Sequence, residues 1–239
     1  MSIVLDIILV AFIILGTYAG VKRGLIKSLV SFIGLVAIVI ISYTLRVPLA
    51  EFLIDTLPFF NFGGALEGLT ALNILIYNIL SFVFIFILLY CILNIIIALT
   101  GFIDTLLKFT VIWIIPSKIG GAIVGFLESW IFLFLAVFVF AQFSFSAGII
   151  RDSHMAGIIL NNTPVIGHYL GGASKAAEEI YEEIETYAKD DEKTTEDLNL
   201  KILQIEINYG LVSSEKATEL MEIGKVGLKN VVISTPTRG

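Results

Sequence analysis

Cysteine and histidine are scarce in this chain of 239 residues, which contains one Cys and two His. A single cysteine forms no disulfide within the chain and supplies no thiolate cluster for a metal. Cys91 lies inside a hydrophobic run, so we expect a small buried hydrophobic residue there. His154 and His168 have no cysteine or paired carboxylate at ligand spacing, which favours two ordinary loop histidines over a metal site.

The local signatures of common enzyme classes are also missing. The sequence contains no HExxH, no GxxxxGK[ST], no GxGxxG and no GxSxG, which are typical of zinc proteases, nucleotide-binding proteins and serine hydrolases. We therefore expect no enzymatic activity, no cofactor and no metal.

Charge is sparse in the first part of the chain and abundant after it. Residues 1–141 hold six of the fifteen Lys and Arg and six of the twenty-one Asp and Glu, whereas the remainder carries the whole net charge of -6. An acidic region of this kind repels nucleic acid and anionic lipid, so binding to DNA or RNA is excluded. A hydrophobic content of 57% places the chain among membrane proteins.

Four hydrophobic runs are long enough to cross the hydrocarbon of a bilayer, which takes roughly 20 residues of helix. The sequence therefore predicts an all-α, polytopic membrane helix bundle with a soluble helical tail. The lipid bilayer is its first expected partner. The predicted spans are Ile3–Val21, Leu25–Leu45, Leu75–Leu99 and Ile119–Phe143.

Basic residues between the first two spans predict the orientation. Lys22, Arg23 and Lys27 form a cluster that should stay in the cytoplasm. The N-terminus would then lie outside, as would residues 46–73, while residues 101–118 would lie inside. Four crossings return the chain to its starting side, so we expect an extracytoplasmic tail.

Two connections contain apolar stretches that are too short to span. Leu49–Phe62 carries aromatic residues and Pro58, and Phe102–Ile115 carries Trp113 and is followed by Pro116. Segments of this kind are typical of helices that lie along the membrane interface, although a re-entrant segment is an alternative.

Glycines at four-residue spacing mark close-packing helix faces. Gly16, Gly20 and Gly24 share one face of the first span, and Gly121 and Gly125 repeat the spacing in the fourth. Because lipid provides no hydrophobic force between helices, small residues of this kind let helix backbones touch. The contact is either intramolecular or with a second copy, so a homo-oligomer or another membrane protein is an expected partner.

One acidic residue falls at membrane depth, where ionisable groups are costly. Glu128 lies within the fourth predicted span, and we expect it to bind a polar partner such as Asn78, Asn94 or Tyr18. The pattern suits either a polar contact that sets helix register or the ion pathway of a small transporter or channel. Asp6, near the outer end of the first span, is expected to be solvated.

The region after the last span divides into a connection and a tail. Residues 1–143 form the four-span domain, 144–172 a Gly-, Ser- and Asn-rich linker, and 173–239 an acidic helical tail. Helical periodicity and capping residues predict three helices, Ser174–Ala188, Thr194 or Thr195 to Tyr209, and Ser213 or Ser214 to about Lys225. We expect Ser234–Gly239 to be disordered.

The arrangement resembles the colicin V production protein (CvpA) family. Leu5–Ile8, Gly20–Gly24 and Ile26–Gly34 resemble the family's opening pattern, LDI followed by G, RG and a later G. Lys118–Gly125 is similar to its glycine-rich entry into the fourth span. The segment Ser144–Tyr169, which contains Thr163–Ile166, resembles the short region after the membrane.

This resemblance covers about the first 170 residues, and the rest looks like a lineage-specific extension. It implies a four-span protein of the bacterial cytoplasmic (inner) membrane, connected with colicin V or other toxin production or export and with envelope homeostasis. It brings no catalytic residues with it.

Overall fold

The computed structural model describes residues 2–107, 114–141, 148–150, 152–188 and 194–227. No residue in these ranges belongs to a β-strand, and the all-α class is confirmed. A single 3₁₀ turn covers Gly64–Leu66. The helices are α1 (Ser2–Arg23), α2 (Leu25–Thr56), α3 (Leu72–Leu107), α4 (Ile114–Ala141), α5 (His154–Asn161), α6 (Pro164–Tyr187), α7 (Thr195–Asn208) and α8 (Ser214–Glu222).

Four helices are long and apolar enough to cross a membrane, as the hydrophobic runs predict. Their apolar portions are Ile3–Arg23, Leu25–Thr56, Leu72–Ala98 and Ser117–Ala141. A helix suits this environment because it pairs all its interior backbone groups without water. Cys91 is exposed on α3, so the expectation of a buried thiol is wrong. A hydrophobic side chain on a membrane helix can be removed from water by lipid, so it needs no protein neighbour.

Neither expected interfacial segment forms a separate helix in the described residues. Leu49–Thr56 continues α2, which runs for 32 residues with Pro48 inside it. At 1.5 Å per residue this is about 48 Å, well beyond the roughly 30 Å of hydrocarbon. The first residues of Phe102–Ile115 belong to α3 and the last two to α4, and residues 108–113 lie outside the described part.

The expected linker of residues 144–172 contains helices. Ser153 caps α5 by accepting a hydrogen bond from the Ala156 N–H at 3.1 Å. Helix α6 starts at Pro164, ten residues before the predicted Ser174, because proline suits the first helical position, where its missing N–H costs nothing. The predicted cap of α7 is correct, since Thr194 forms a capping box with Asp197. The last residues, Ser234–Gly239, lie outside the described part.

Contacts divide the chain into two compact units, which differ from the expected domains. Unit 1 comprises Met1–Ile41 and Ile85–Tyr169, and unit 2 comprises Ser42–Phe84 and Leu170–Gly239. Helices α2 and α3 therefore contribute to both. In unit 1, α1 packs along α4, and α5 contacts both. Gly24, with φ +80°, separates α1 from α2, a conformation that favours glycine.

Unit 2 has its own hydrophobic core, built from the second half of α2, the first turns of α3 and the three tail helices. Its fully buried side chains come from every one of these elements. They include Ile54, Leu69, Ile74, Tyr77, Ile180, Ile202, Leu203, Leu211 and Leu220. The acidic tail is thus folded onto the ends of two membrane helices and does not form a core of its own.

Candidate functional site

The predicted glycine faces of α1 and α4 meet each other within unit 1. A Cβ added to Gly20 would lie 2.1 Å from the carbonyl oxygen of Gly121, and one added to Gly125 would lie 2.7 Å from the oxygen of Gly16. Gly24 approaches Ser117, whose Oγ accepts a hydrogen bond from the Leu25 N–H at 3.2 Å. The two helices are antiparallel, and their glycine faces contact each other within the chain.

This close approach brings an ion pair together between the helices. Arg23, the last residue of α1, donates to both carboxylate oxygens of Glu128 in α4, at 3.2 Å and 2.5 Å. The Ser31 hydroxyl of α2 donates to the same carboxylate at 2.5 Å, and Arg23 also donates to Ser31 at 3.2 Å. Glu128 is 4% exposed. Three helices are therefore joined through one buried carboxylate, in the two-pronged geometry that favours Arg over Lys.

The structure does not bring together the predicted set of Glu128, Asn78 and Asn94. Asn94 is on the surface and donates to the carbonyl of Tyr90 in its own helix, at 2.8 Å. Asn78 donates to the carbonyls of Ile74 and Leu211 within unit 2. The other suggested partner, Tyr18, lies under the Lys22 ammonium, 4.7 Å from the ring centroid.

Sequence reasoning missed Arg23 as a partner because it was assigned to the cytoplasmic cluster with Lys22 and Lys27. Lys22 and Lys27 do lie at the end of α1 and the start of α2. Arg23 differs, since its long side chain extends into the bundle. Antiparallel pairing of the two glycine motifs would have revealed the register, because it places the end of α1 near the first half of α4.

Asp6, expected to be solvated, is bound to the start of α5. Its Oδ1 accepts a hydrogen bond from the Ser153 hydroxyl at 2.5 Å and from the Met155 N–H at 3.0 Å. A carboxylate at a helix N-terminus accepts hydrogen bonds from free N–H groups and interacts favourably with the helix dipole. Trp130 of α4 donates to Thr163 Oγ1 at 2.9 Å, just past the end of α5. The packing of α5 against α1 and α4 thus includes polar contacts that the sequence pattern did not predict.

In unit 2, α7 supplies two buried polar side chains to the beginning of α3. Asn199 Oδ1 accepts from the Ala71 N–H at 3.0 Å, and its Nδ2 donates to the carbonyl of Gly68 at 2.9 Å. Glu206 Oε1 accepts from the Leu75 N–H at 3.0 Å. These acceptors serve N–H groups that a helix start leaves without an intrahelical partner.

The end of α2 is bound by hydrogen-bond donors from the tail. The Lys225 ammonium donates to the carbonyl of Ile54, where a helix C-terminus leaves free carbonyls. Lys216 forms an ion pair with Asp55 at 2.5 Å. Glu51 accepts from the N–H and hydroxyl of Ser213, the cap of α8. We call these contacts, together with those of Asn199 and Glu206, the helix-end clamp.

The clamp yields a prediction about Asn199. We expect Asn199→Ala to destabilise unit 2 by about 2 kcal/mol, because it leaves the buried Ala71 N–H without its partner and removes the hydrogen bond to the Gly68 carbonyl. Limited proteolysis of the full-length protein in detergent should then cut the tail faster than in the wild type. Asn208→Ala is the control, since Asn208 is exposed on the same helix and accepts from Gln204 of that helix. Equal cleavage of both variants would contradict the role of Asn199.

The described residues contain no group of three or more His, Cys, Asp or Glu able to hold a metal ion. His154 begins α5 beside the Asp6 contact, and the side chain of His168 lies outside the described part. The arrangement thus consists of helix-joining contacts: a glycine seam, a buried ion pair and a clamp on two helix ends.

Comparisons with known proteins agree with this architecture. The family described as Colicin V production protein matches residues 5–164, which include all four spans and α5. A transmembrane protein of Bacillus subtilis (strain 168), named Uncharacterized transmembrane protein YshB, is 32% identical over 175 residues, covering 70% of this chain and 93% of the relative. No solved structure matches the chain. The chain is a multi-pass membrane protein that belongs to the Colicin V production protein family.

Proposed function

We propose that the chain is a non-enzymatic protein that supports toxin production or export, of the colicin V kind, and envelope homeostasis in a bacterium. The family match over residues 5–164 carries this proposal. Contacts of three buried polar side chains agree with it, since Glu128, Asn199 and Glu206 each join one helix to another segment of the chain. A protein built in this way acts by holding its partners in place.

The location that we propose is the cytoplasmic (inner) membrane, with the N-terminus and the tail outside. Support comes from the helix-end clamp, which binds the tail to the connection between α2 and α3. The tail and that connection therefore share one side of the membrane. Lys22 and Lys118 are exposed at the opposite ends of the spans, where positive residues favour the cytoplasm.

Cysteine labelling tests this topology. In a Cys91→Ser background, we expect a membrane-impermeant maleimide to label Glu215→Cys and Glu67→Cys in intact cells, because both positions are exposed in unit 2. Lys118→Cys is the control and should be labelled only after lysis. The reverse pattern would invert the topology, and different behaviour of Glu215 and Glu67 would contradict the clamp.

The proposed partners are other membrane proteins or further copies of this chain. The glycine faces of α1 and α4 bind each other, so such partners would use other surfaces. The lipid-exposed sides of the spans are extensive, since only 11% of the apolar window of α1 is buried within the chain. These sides offer helix surfaces for association.

Deletion and complementation test the function itself. We expect a deletion strain to release less of a plasmid-encoded peptide toxin and to lose resistance to detergent, and the wild-type gene to restore both. His154→Gln should restore them equally if the role is non-enzymatic. An unaltered deletion strain would remove the proposed function, while failure of His154→Gln alone, at normal protein levels, would point to catalysis.

The transporter alternative is less well supported by the geometry. A pathway through Glu128 would use Asn78 and Asn94 as further polar groups, but their hydrogen bonds go elsewhere. Glu128 is already bound by Arg23 and Ser31. This favours the register-setting role that the sequence offered as the other interpretation.

A further inference from the structure

We propose that Glu206 is a proton-binding site that makes the docking of α7 onto the start of α3 depend on pH. With its proton bound, the side chain holds the two helices together, and loss of the proton weakens this contact. The tail would thereby transmit the acidity around it to a membrane-spanning helix. This inference goes beyond the proposed role in toxin production and does not depend on it.

The position of Glu206 is unusual for a carboxyl group. The residue is completely buried, at 0% exposure, between α7 and the first turn of α3. Its Oε1 accepts from the Leu75 N–H, but its Oε2 has no hydrogen-bond partner among the described residues. An ionised carboxylate without a paired charge in such a place is very costly, whereas the neutral acid is not.

A second buried oxygen lies on the same face of α3. Asn78, three residues after Leu75, uses its Nδ2 to donate to the carbonyls of Ile74 and Leu211, at 2.9 Å and 2.8 Å. Its Oδ1 has no partner among the described residues. Leu211 is tied back to α7 through its N–H, which donates to the Glu206 carbonyl at 2.8 Å.

Two acceptor oxygens without donors thus occur at one helix contact. A proton on Glu206 Oε2 turns one of these acceptors into a donor, whereas the carboxylate offers acceptors alone. The neutral acid therefore suits a contact that already has an excess of buried acceptor oxygens.

The charged groups on the surrounding elements are bound elsewhere or exposed. On α2, Arg46 donates to the carbonyl of Tyr43 in its own helix, Asp55 pairs with Lys216 of α8, and Glu51 binds Ser213. On α8, Glu219 also pairs with Lys216, and Glu215 and Glu222 are exposed. The part of α3 in unit 2 has no acidic or basic residue. On α6, Glu179 binds Tyr209 and Glu183 pairs with Lys201 of α7. The other charged residues of α6 and α7 are exposed, namely Lys175, Glu178, Glu182, Glu185, Glu196 and Asp197.

The direction of the pH effect follows from the burial. Burial raises the pKa of Glu206 well above its usual 4.5, and the Leu75 N–H offsets only part of this rise. Docking is therefore strongest below pH 4.5, where the acid is neutral whether or not α7 is docked. It weakens by up to about tenfold per pH unit between 4.5 and the raised pKa, and stays constant above it.

Hydrogen exchange of the full-length protein in nanodiscs measures this effect. We expect the protection factors of amides in residues 198–212, corrected for the intrinsic pH dependence of exchange, to fall as pH rises from 4.5. Glu206→Gln should abolish the fall, because its amide supplies both an acceptor for Leu75 and a donor at every pH. Glu196→Gln, on the exposed side of α7, should behave like the wild type.

Two results would overturn the proposal. One is an unchanged pH profile in Glu206→Gln. If that variant fails to fold, infrared spectra of the wild type recorded from pH 4.5 upward provide the second test, because a buried carboxyl with a raised pKa keeps its C=O band after exposed carboxyl groups have ionised, and loses it together with the protection. Absence of a band that outlasts those of the exposed groups would mean that Glu206 holds no proton there.

Discussion

Gly20→Ala and Gly121→Ala are each expected to destabilise the packing of α1 against α4 by about 3 kcal/mol, the upper end of the cost of overpacking. The new methyl group on Gly20 would lie 2.1 Å from the Gly121 oxygen, and the methyl group on Gly121 would lie 2.4 Å from the Gly20 oxygen. Both obstacles are backbone atoms, so the helices must move apart. Unfolding in mixed micelles, followed by fluorescence of Trp130 in α4, measures the loss.

Two other glycines provide graded controls. At Gly16 a new Cβ would meet the Ser129 hydroxyl, which can rotate away, and the Ser129 Cβ at 2.8 Å, which cannot. The nearest backbone atom, the Gly125 oxygen, is 3.6 Å away, so Gly16→Ala should be destabilising but should cost less than Gly20→Ala. At Gly157, in α5, no atom lies within 4 Å, and alanine should raise helix stability by up to about 1 kcal/mol. A similar loss of stability in Gly20→Ala, Gly16→Ala and Gly157→Ala would show that backbone contact is not the cause.

Separating Arg23 from Glu128 should have the next largest effect. Arg23→Gln leaves a buried carboxylate whose remaining hydrogen-bond donor among the described residues is Ser31, and we expect a cost of about 3 kcal/mol in unfolding free energy. Glu128→Gln should cost less, about 1 kcal/mol, because the Arg23 side chain is 31% exposed and can turn its charge toward water.

The double variant Arg23→Gln/Glu128→Gln tests whether the two residues act as a pair. Its destabilisation should be smaller than the sum of the single effects by about 1–3 kcal/mol, as in other coupled charge pairs. Lys22→Gln is the control, since Lys22 is exposed and its ammonium group lies over the ring of Tyr18. Additive effects of Arg23 and Glu128 would contradict the ion pair.

Hydrophobicity and glycine spacing were the most reliable sequence signals. The four spans are found where the apolar runs predict them, and the glycine faces are in contact. Caps were also informative, since Thr194 and Ser213 begin α7 and α8 as expected. These features are local, because each depends on residues within a few turns of one helix.

The polar partners could not be predicted in the same way. Glu128 was expected to bind Asn78 or Asn94, and its partner is Arg23, 105 residues away in sequence. Glu206 was one of many acidic residues in a tail that appeared solvated. Its burial follows from the side of α7 that packs onto α3, which no charge pattern within the tail reveals.

The sequence by itself therefore determined that the chain is a helical membrane protein with four spans, because the cost of exposing apolar residues or unpaired backbone groups acts on each segment separately. Only the tertiary structure decided which glycines touch, which charges pair and that the tail folds onto α2 and α3. Those outcomes depend on distances between segments far apart in the chain, and a single buried carboxyl changes its chemistry according to the neighbours that folding supplies.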